Sequence, residues 1–150
     1  MRTRIVDVSK AESIDGWMTE PELVWLAERA GEHRVIVEIG SYLGRSTRAM
    51  LDHTDGIVYA IDDWKGPRDV YLTKEERDNL IFRFMENVEA TKNMNWNIEE
   101  GKLHMIVGDY ELTYQDWDER KIKPDLVFID GSHEYEDVKR DILFWKERVV

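Results

Sequence analysis

The stretch "VEIGSYLGRST", residues 37–47, decides the fold, because it begins as an apolar strand and ends as the start of a helix. Two glycines, Gly40 and Gly44, stand between the two parts with three residues separating them. The short β-branched run "RVIVEIG" at 34–40 is typical of a parallel strand that is buried on both faces. Such a glycine turn either bends over a ligand or merely connects the strand to the helix.

Three more buried-type strands follow along the chain: "GIVYAIDDW" at 56–64, "LHMIVGD" at 103–109 and "PDLVFID" at 124–130. Helices are predicted at 19–31, after Gly44, from 74 to 88 and from 135 onward, with loops at 65–73 and 93–101. Residues 110–123 are predicted to form a surface crossover, with a short helix as the open alternative. Strands that alternate with helices predict a Rossmann-like, doubly wound parallel sheet of four strands in a single domain, residues 1–150.

Capping-box spacing and apolar periodicity support three of these helices. Thr19 with Glu22, and Thr73 with Glu76, have the spacing of helix starts. Helical spacing predicts that the following side chains are buried: Leu23, Leu26, Ala27 and Ala30 in the first helix, Leu80, Ile81, Phe84 and Val88 in the second, and Val138, Ile142 and Trp145 in the last.

Composition excludes several classes of function. Of 150 residues 42% are hydrophobic and 35% charged, which is typical of a globular domain. The formal net charge of −11, without a clustered basic face, argues against nucleic-acid and anionic-membrane partners. The chain has no cysteine, which excludes disulfides and thiolate chemistry. The first ten residues lack the apolar core of a secretory signal and no run approaches the length of a membrane span, so we expect a cytoplasmic location.

Each predicted strand carries an acid at or near its carboxyl end: Glu38, Asp62, Asp109 and Asp130. In parallel sheets ligands bind outside these ends, at the switch point of the strand order. Any one acid could simply be solvated or cap a helix, but four around one crevice require cationic or donor-rich partners. The pattern therefore favours a ligand that offers positive charge or hydroxyl groups.

The glycine turn does not fit the common phosphate-binding motifs. A P-loop needs a second glycine one residue later followed by lysine, and the dinucleotide fingerprint needs glycine where Tyr42 stands. Asp62 nevertheless lies about 20 residues past the turn, where an acid binds ribose hydroxyls. The ligand is therefore predicted to contain a nucleoside but no pyrophosphate.

Taken together, four segments resemble the class I S-adenosylmethionine-dependent methyltransferases: "VEIGSYLGRST", "YAIDDW", "IVGD" and "PDLVFIDGSHEYEDVKRDI". The resemblance is to the small-molecule O-methyltransferase type, the branch with macrocin O-methyltransferase-like and cephalosporin-hydroxylase-like proteins. It extends from about Gly16 to Trp145.

The resemblance implies S-adenosylmethionine as cofactor and assigns residues to it. For the methionine end it implies Glu38, Gly40, Ser41 and Gly44, with Ser46 and Thr47 at the helix start. For the adenosine end it implies Asp62 at the ribose hydroxyls, with Asp63 beside it, Asp109 near the adenine amino group, and Trp64 either near the adenine or as a core anchor. Asp130 would lie at the reacting end, close to the sulfonium.

A hydroxylated small-molecule acceptor must lose its proton to a base or after binding a metal. The resemblance makes His133, three residues after Asp130, a candidate catalytic base, although orienting its loop is the commoner role. Asp130 is the candidate Mg²⁺ ligand. The other histidines, His33, His53 and His104, are interpreted as surface or packing residues.

The family's sheet order is 3-2-1-4-5-7-6, so strand four would be central, yet in this sequence it would be an edge. An apolar free edge is an aggregation hazard. Three explanations stay open: a truncated chain, which we favour, a partner subunit such as a second copy covering the edge, or a minimal variant.

The leading functional hypothesis is methyl transfer to a small hydroxylated molecule. The alternatives are a metal-dependent hydroxylase or other non-methylating enzyme, a non-catalytic binding or assembly module, and, less favoured, a NAD-dependent oxidoreductase.

Overall fold

The computed structural model describes residues 5–89 and 101–150, so most of the loop predicted at 93–101 lies outside the described residues. Four parallel strands form one sheet in the order β3-β2-β1-β4. They are β1 (Val35–Ile39), β2 (Ile57–Asp62), β3 (Leu103–Val107) and β4 (Leu126–Ile129). The predicted parallel α/β sheet is confirmed, and within the described residues β4 pairs only with β1.

Seven helices are found in the described part of the chain: α1 (Ser9–Glu12), α2 (Glu20–Gly31), α3 (Arg45–Leu51), α4 (Lys74–Asp78), α5 (Leu80–Asn87), α6 (Tyr110–Arg120) and α7 (Tyr135–Trp145). Both predicted capping boxes begin helices. The Thr19 amide donates to Glu22 Oε2 at 2.7 Å, and the Thr73 amide donates to Glu76 Oε2 at 2.8 Å. These bonds satisfy amides that a helix start otherwise leaves without partners.

The sheet is the middle of three layers. On one face Ile36, Val58 and Ala60 pack against apolar side chains of α2, α3 and α5. On the other face Val37 and Ile61 share a cluster with Trp117 of α6 and Trp145 of α7. Since β1 and β2 are covered on both sides, their continuous apolar runs are explained.

Two helices differ from the prediction in extent. The helix predicted from 74 to 88 is divided at Asn79, whose side-chain amide donates to the Glu75 carbonyl at 2.9 Å and competes with the backbone ladder. Within the surface crossover predicted at 110–123, the short helix that the sequence left open is found and is eleven residues long, α6. Asp109 accepts the Leu112 amide at 3.1 Å and so caps its start.

The stripe predicted for α7 is wrong at one position. Ile142 is 49% exposed, whereas Asp141 is 5% exposed and faces the interior beside Trp145. Asp141 accepts a hydrogen bond from the Tyr114 hydroxyl of α6, which gives a polar reason for this rotation of the helix. Periodicity alone predicts apolar contacts and could not anticipate it.

Among the described residues, none of the helices combines the length and the apolar character that crossing a bilayer requires.

Candidate functional site

A cavity of about 720 Å³ lies at the carboxyl ends of the four strands. Its size is within the range of small-molecule pockets. The strand order reverses between β1 and β4, which is the position where open α/β sheets bind ligands. Nine residues singled out from the sequence line it: Gly40, Ser41, Ser46, Asp62, Asp63, Trp64, Asp109, Asp130 and His133.

Gly40 is required by a close approach between the ends of β1 and β4. Its φ of +87° lies in the left-handed region that favours glycine. A Cβ placed there would stand 2.3 Å from the Asp130 carbonyl oxygen and 2.5 Å from Gly131 Cα. The turn after β1 is thus held tightly against the loop after β4, and both form one wall of the cavity.

Glu38 does not line this cavity, in contrast to the expectation that it borders the ligand directly. It is fully buried behind the turn, where the hydroxyls of Ser41, Ser46 and Thr47 all donate to its carboxylate. Burial raises the pKa of Glu38 to about 7, although the three hydroxyl donors oppose the rise. Gly44 lies behind the wall as well, against Phe84.

Thr47, like Glu38, is fully buried and is not part of the cavity wall. Its hydroxyl donates to Glu38 Oε2, the same oxygen that accepts from Ser41 at 2.8 Å. Ser41 and Ser46 differ from Thr47 because they both line the cavity and donate to Glu38. The predicted residues of the turn therefore separate into a wall and a layer that supports it.

Asp62 connects the turn after β1 to the loop after β2. Its two carboxylate oxygens accept the Tyr42 and Trp64 amides, each at 2.8 Å. Burial raises the pKa of Asp62, and the neighbouring charge of Asp63 adds to the rise. A carboxylate has about four lone-pair positions, so the two backbone amides leave part of the acceptor capacity of Asp62 unused.

Trp64 lines the cavity and is 5% exposed within the core, so its position is compatible with either of the two roles that the sequence left open. Its indole Nε1 donates to the Tyr42 carbonyl at 2.9 Å, and its ring packs against the Phe84 ring with centroids 4.9 Å apart. Asp63 is exposed at the cavity, where it accepts the Lys65 amide at 2.9 Å.

Asp130 and His133 lie at the opposite wall, after β4. His133 Nε2 is 4.0 Å from Asp130 Oδ1, and the two side chains are 83% and 45% exposed. Partial burial raises the pKa of Asp130, and His133 opposes that rise. No group of three or more His, Asp or Glu side chains suited to a metal ion is found within residues 5–89 and 101–150. Asp130 as a Mg²⁺ ligand stays a prediction.

The remaining histidines pack as predicted. His33 Nδ1 is 2.6 Å from the Arg29 carbonyl and His53 Nδ1 is 2.8 Å from the Ala49 carbonyl. His104 stacks on Tyr59 with ring centroids 5.0 Å apart.

Residues 15–18 also form part of the cavity wall, which no pattern in the sequence indicates. Arg45, at the start of α3, donates to the carbonyls of Ile14 at 2.6 Å and Met18 at 2.9 Å, and so fixes this segment over the turn. Trp17 then stacks on Tyr42 with ring centroids 5.4 Å apart. Only the folded chain brings these residues together.

A second group missed from the sequence lines the cavity between α6 and α7. Arg140 lies 3.7 Å from the centre of the Tyr110 ring and donates to Asp137 at 2.8 Å. Tyr114 donates to the buried Asp141, whose pKa is raised by burial. The spacing of these residues within each helix is unremarkable, so their meeting depends on how α6 and α7 pack.

Comparison with known protein families identifies the chain. A family model described as "Methyltransferase domain" matches residues 37–150. The chain belongs to this methyltransferase-domain family. The matched region begins at the glycine-turn stretch and includes the strand ends that form the site. A search of curated proteins finds no match.

Solved structures share the fold of this methyltransferase domain at low sequence identity. The O-methyltransferase TomG from Streptomyces achromogenes, involved in tomaymycin synthesis and in complex with SAM, matches with a TM-score of 0.61 and 17% identity over 89% of this chain and 53% of its own. The O-methyltransferase from Bacillus cereus, in complex with SAH, matches with a TM-score of 0.63 and 14% identity over 95% and 58%. A SAM-dependent methyltransferase from Agrobacterium tumefaciens gives 0.58 and 14% over 85% and 39%. This chain therefore covers between 39% and 58% of the length of these three matched chains.

Proposed function

We propose that this methyltransferase domain binds S-adenosylmethionine in the cavity and takes part in methyl transfer to a hydroxyl of a small molecule. The observation that carries the proposal is the placement of the glycine turn, Asp62 and Asp130 around one cavity at the β1–β4 switch point. TomG and the Bacillus cereus protein are O-methyltransferases in complex with SAM and SAH, which supports both the cofactor and the oxygen acceptor.

The hydrogen-bond acceptors and acidic groups of the cavity fit this cofactor. S-adenosylmethionine carries a sulfonium, an amino group and two ribose hydroxyls, and it has no phosphate. Asp62 retains acceptor capacity for hydroxyl donors beyond its two backbone partners. Asp63, Asp109 and Asp130 add acidic groups to the wall, which suit a cation better than a phosphate.

In this proposal Asp62 accepts the ribose hydroxyls, and Asp109 lies at the adenine amino group with Trp64 beside the ring. The backbone of the Gly40 turn, with Ser41 and Ser46, borders the methionine end. When bound, the cofactor supplies an electrophilic methyl group for in-line displacement, so the protein contributes largely by alignment.

His133 is the proposed base that takes the acceptor's proton, because it is exposed at the cavity with Asp130 4.0 Å away. Asp130 can instead bind Mg²⁺ through a carboxylate oxygen, which would lower the pKa of a bound hydroxyl. These two routes make different predictions, since only the second depends on a divalent metal.

The test is calorimetric titration of the chain with S-adenosylmethionine and with S-adenosylhomocysteine. We expect saturable binding of both, and at least a tenfold loss of affinity in Asp62→Asn, because a charged acceptor for two hydroxyls is replaced by a neutral amide. Asp116→Asn is the matched control, since Asp116 forms a surface pair with Arg120 on α6. Absence of binding by both ligands, or saturable binding of NADH in their place, would contradict the proposal.

A further inference from the structure

We propose that Glu38 is a positioning residue that makes the site prefer the cationic cofactor over its uncharged-sulfur product. The inference rests on the proposed function and deepens it. It assigns a role to a buried acid that does not reach the cavity and that the transfer step does not otherwise use.

Glu38 is separated from the cavity by hydroxyl groups that belong to the cavity wall. Ser41 and Ser46 both line the cavity and both donate to the Glu38 carboxylate, the Ser41 Oγ at 2.8 Å. Thr47 donates from the first turn of α3. A ligand that contacts the two serines is thus separated from the Glu38 charge by a single layer of side chains.

The protonation of Glu38 is linked to the geometry of the turn. The carboxylate is acceptor-only and can receive all three hydroxyls, whereas the protonated acid must itself donate one hydrogen bond. Protonation therefore requires at least one of Ser41, Ser46 and Thr47 to turn its hydroxyl and become an acceptor. Two of those hydroxyls belong to the wall, so the charge state of Glu38 alters the surface that meets the ligand.

A positive charge in the cavity favours the ionised form of Glu38. Because burial brings the pKa of Glu38 to about 7, both forms are populated at neutral pH. Among the described groups, Asp130 at the end of β4 is the charged group that acts on it, and its negative charge opposes ionisation. Charges interact more strongly in the water-poor interior than in solvent, so a cation across Ser41 shifts this balance.

The cofactor and its product differ in that charge. S-adenosylmethionine has a sulfonium and S-adenosylhomocysteine a neutral thioether, while their amino, carboxylate and ribose groups are the same. Binding of the cofactor should therefore release a proton from Glu38, and binding of the product should release less. If the cofactor lowers the pKa of Glu38 well below 7, linkage predicts that the affinity for the cofactor rises roughly five- to tenfold between pH 6 and pH 8.

The experiment is calorimetric titration at pH 6, 7 and 8 in two buffers that differ in ionisation enthalpy, which counts the protons released. At pH 7 we expect about half a proton released with S-adenosylmethionine and distinctly less with S-adenosylhomocysteine. An S-adenosylmethionine analogue with an ammonium in place of the sulfonium should release protons as the cofactor does. In Glu38→Gln the excess release should vanish and the ratio of the two affinities should become independent of pH, while Asp116→Asn retains both effects.

Equal proton release by the two ligands in the wild-type chain overturns the proposal even if Glu38→Gln does not fold. An unchanged pH dependence in folded Glu38→Gln overturns it as well. Both results leave the proposed function intact, since binding is then still observed. Failure of both ligands to bind would instead refute the proposed function.

Discussion

Gly40→Ala tests the close approach between the turn after β1 and the loop after β4. The substitution adds one methyl group where φ is +87° and where the Asp130 carbonyl oxygen would be 2.3 Å from the new carbon. The neighbouring atoms are backbone, so no flexible side chain can move away to make room. The ends of the two strands must separate.

Two costs add in this variant. A left-handed conformation costs an L-residue about 1–2 kcal/mol. Overpacking against a rigid neighbour typically costs about 1–3 kcal/mol more. We therefore expect the free energy of unfolding to fall by about 2–5 kcal/mol, which for a chain of this size lowers Tm on the order of 10 °C.

The assay is urea and thermal denaturation followed by circular dichroism, with calorimetric titration of S-adenosylmethionine on the folded variant. Gly31→Ala is the control, because a Cβ at the end of α2 would meet the His53 carbonyl at an ordinary 3.5 Å. Its stability should change by less than about 1 kcal/mol. We also expect Gly40→Ala to weaken cofactor binding, because the turn and Asp130 share the cavity wall.

A Gly40→Ala variant as stable as Gly31→Ala would refute this reasoning. It would mean that the ends of β1 and β4 are not held as close together as the 2.3 Å approach of the new Cβ to the Asp130 carbonyl oxygen requires. The joint position of the turn and Asp130 at one cavity would then lose its structural support.

Two further predictions concern buried carboxyl groups. Tyr114→Phe removes the hydroxyl that donates to Asp141, which is 5% exposed, so the free energy of unfolding should fall by about 1–3 kcal/mol. Urea denaturation measures the free energy of unfolding, and Tyr71→Phe at an 89% exposed site is the control. Equal stability of the two variants would contradict the prediction. Because folding raises the pKa of Glu38 from 4.5 to about 7, its contribution is fully present below pH 4.5 and is lost as pH rises through 7. Between pH 4.5 and 8 the wild-type chain should lose roughly 2–4 kcal/mol relative to Glu38→Gln, and parallel pH profiles of unfolding free energy would exclude this.

Local patterns predicted the elements of this fold well. Capping boxes fixed the starts of α2 and α4, and short, largely apolar runs predicted all four strands. The division of one predicted helix at Asn79 was missed, because the hydrogen bond from the Asn79 side chain to the Glu75 carbonyl leaves no trace in the apolar period. The burial of Asp141 was missed for a related reason, since its partner Tyr114 lies on another helix.

The candidate site was predicted in part. Parallel strands bring their carboxyl ends to one edge, so the sequence sufficed to gather Asp62, Asp109 and Asp130 at one cavity. The sequence could not tell which residues of the turn face the cavity. The side chain of Glu38 points into the interior, where three hydroxyls donate to its carboxylate. Glu38 therefore supports the cavity wall and is not part of it.

By itself the sequence determined the strand–helix alternation, the glycine turn and the acids at the strand ends, because each depends on periodicity or on backbone preferences within a few residues. Tertiary structure alone decided contacts between distant segments. Arg45 fixes residues 14 and 18 over the turn, and the Gly40 turn meets Asp130 across the β1–β4 pairing. Those contacts form between groups about 30 to 90 residues apart in the chain, where local preference carries no information about which groups will meet.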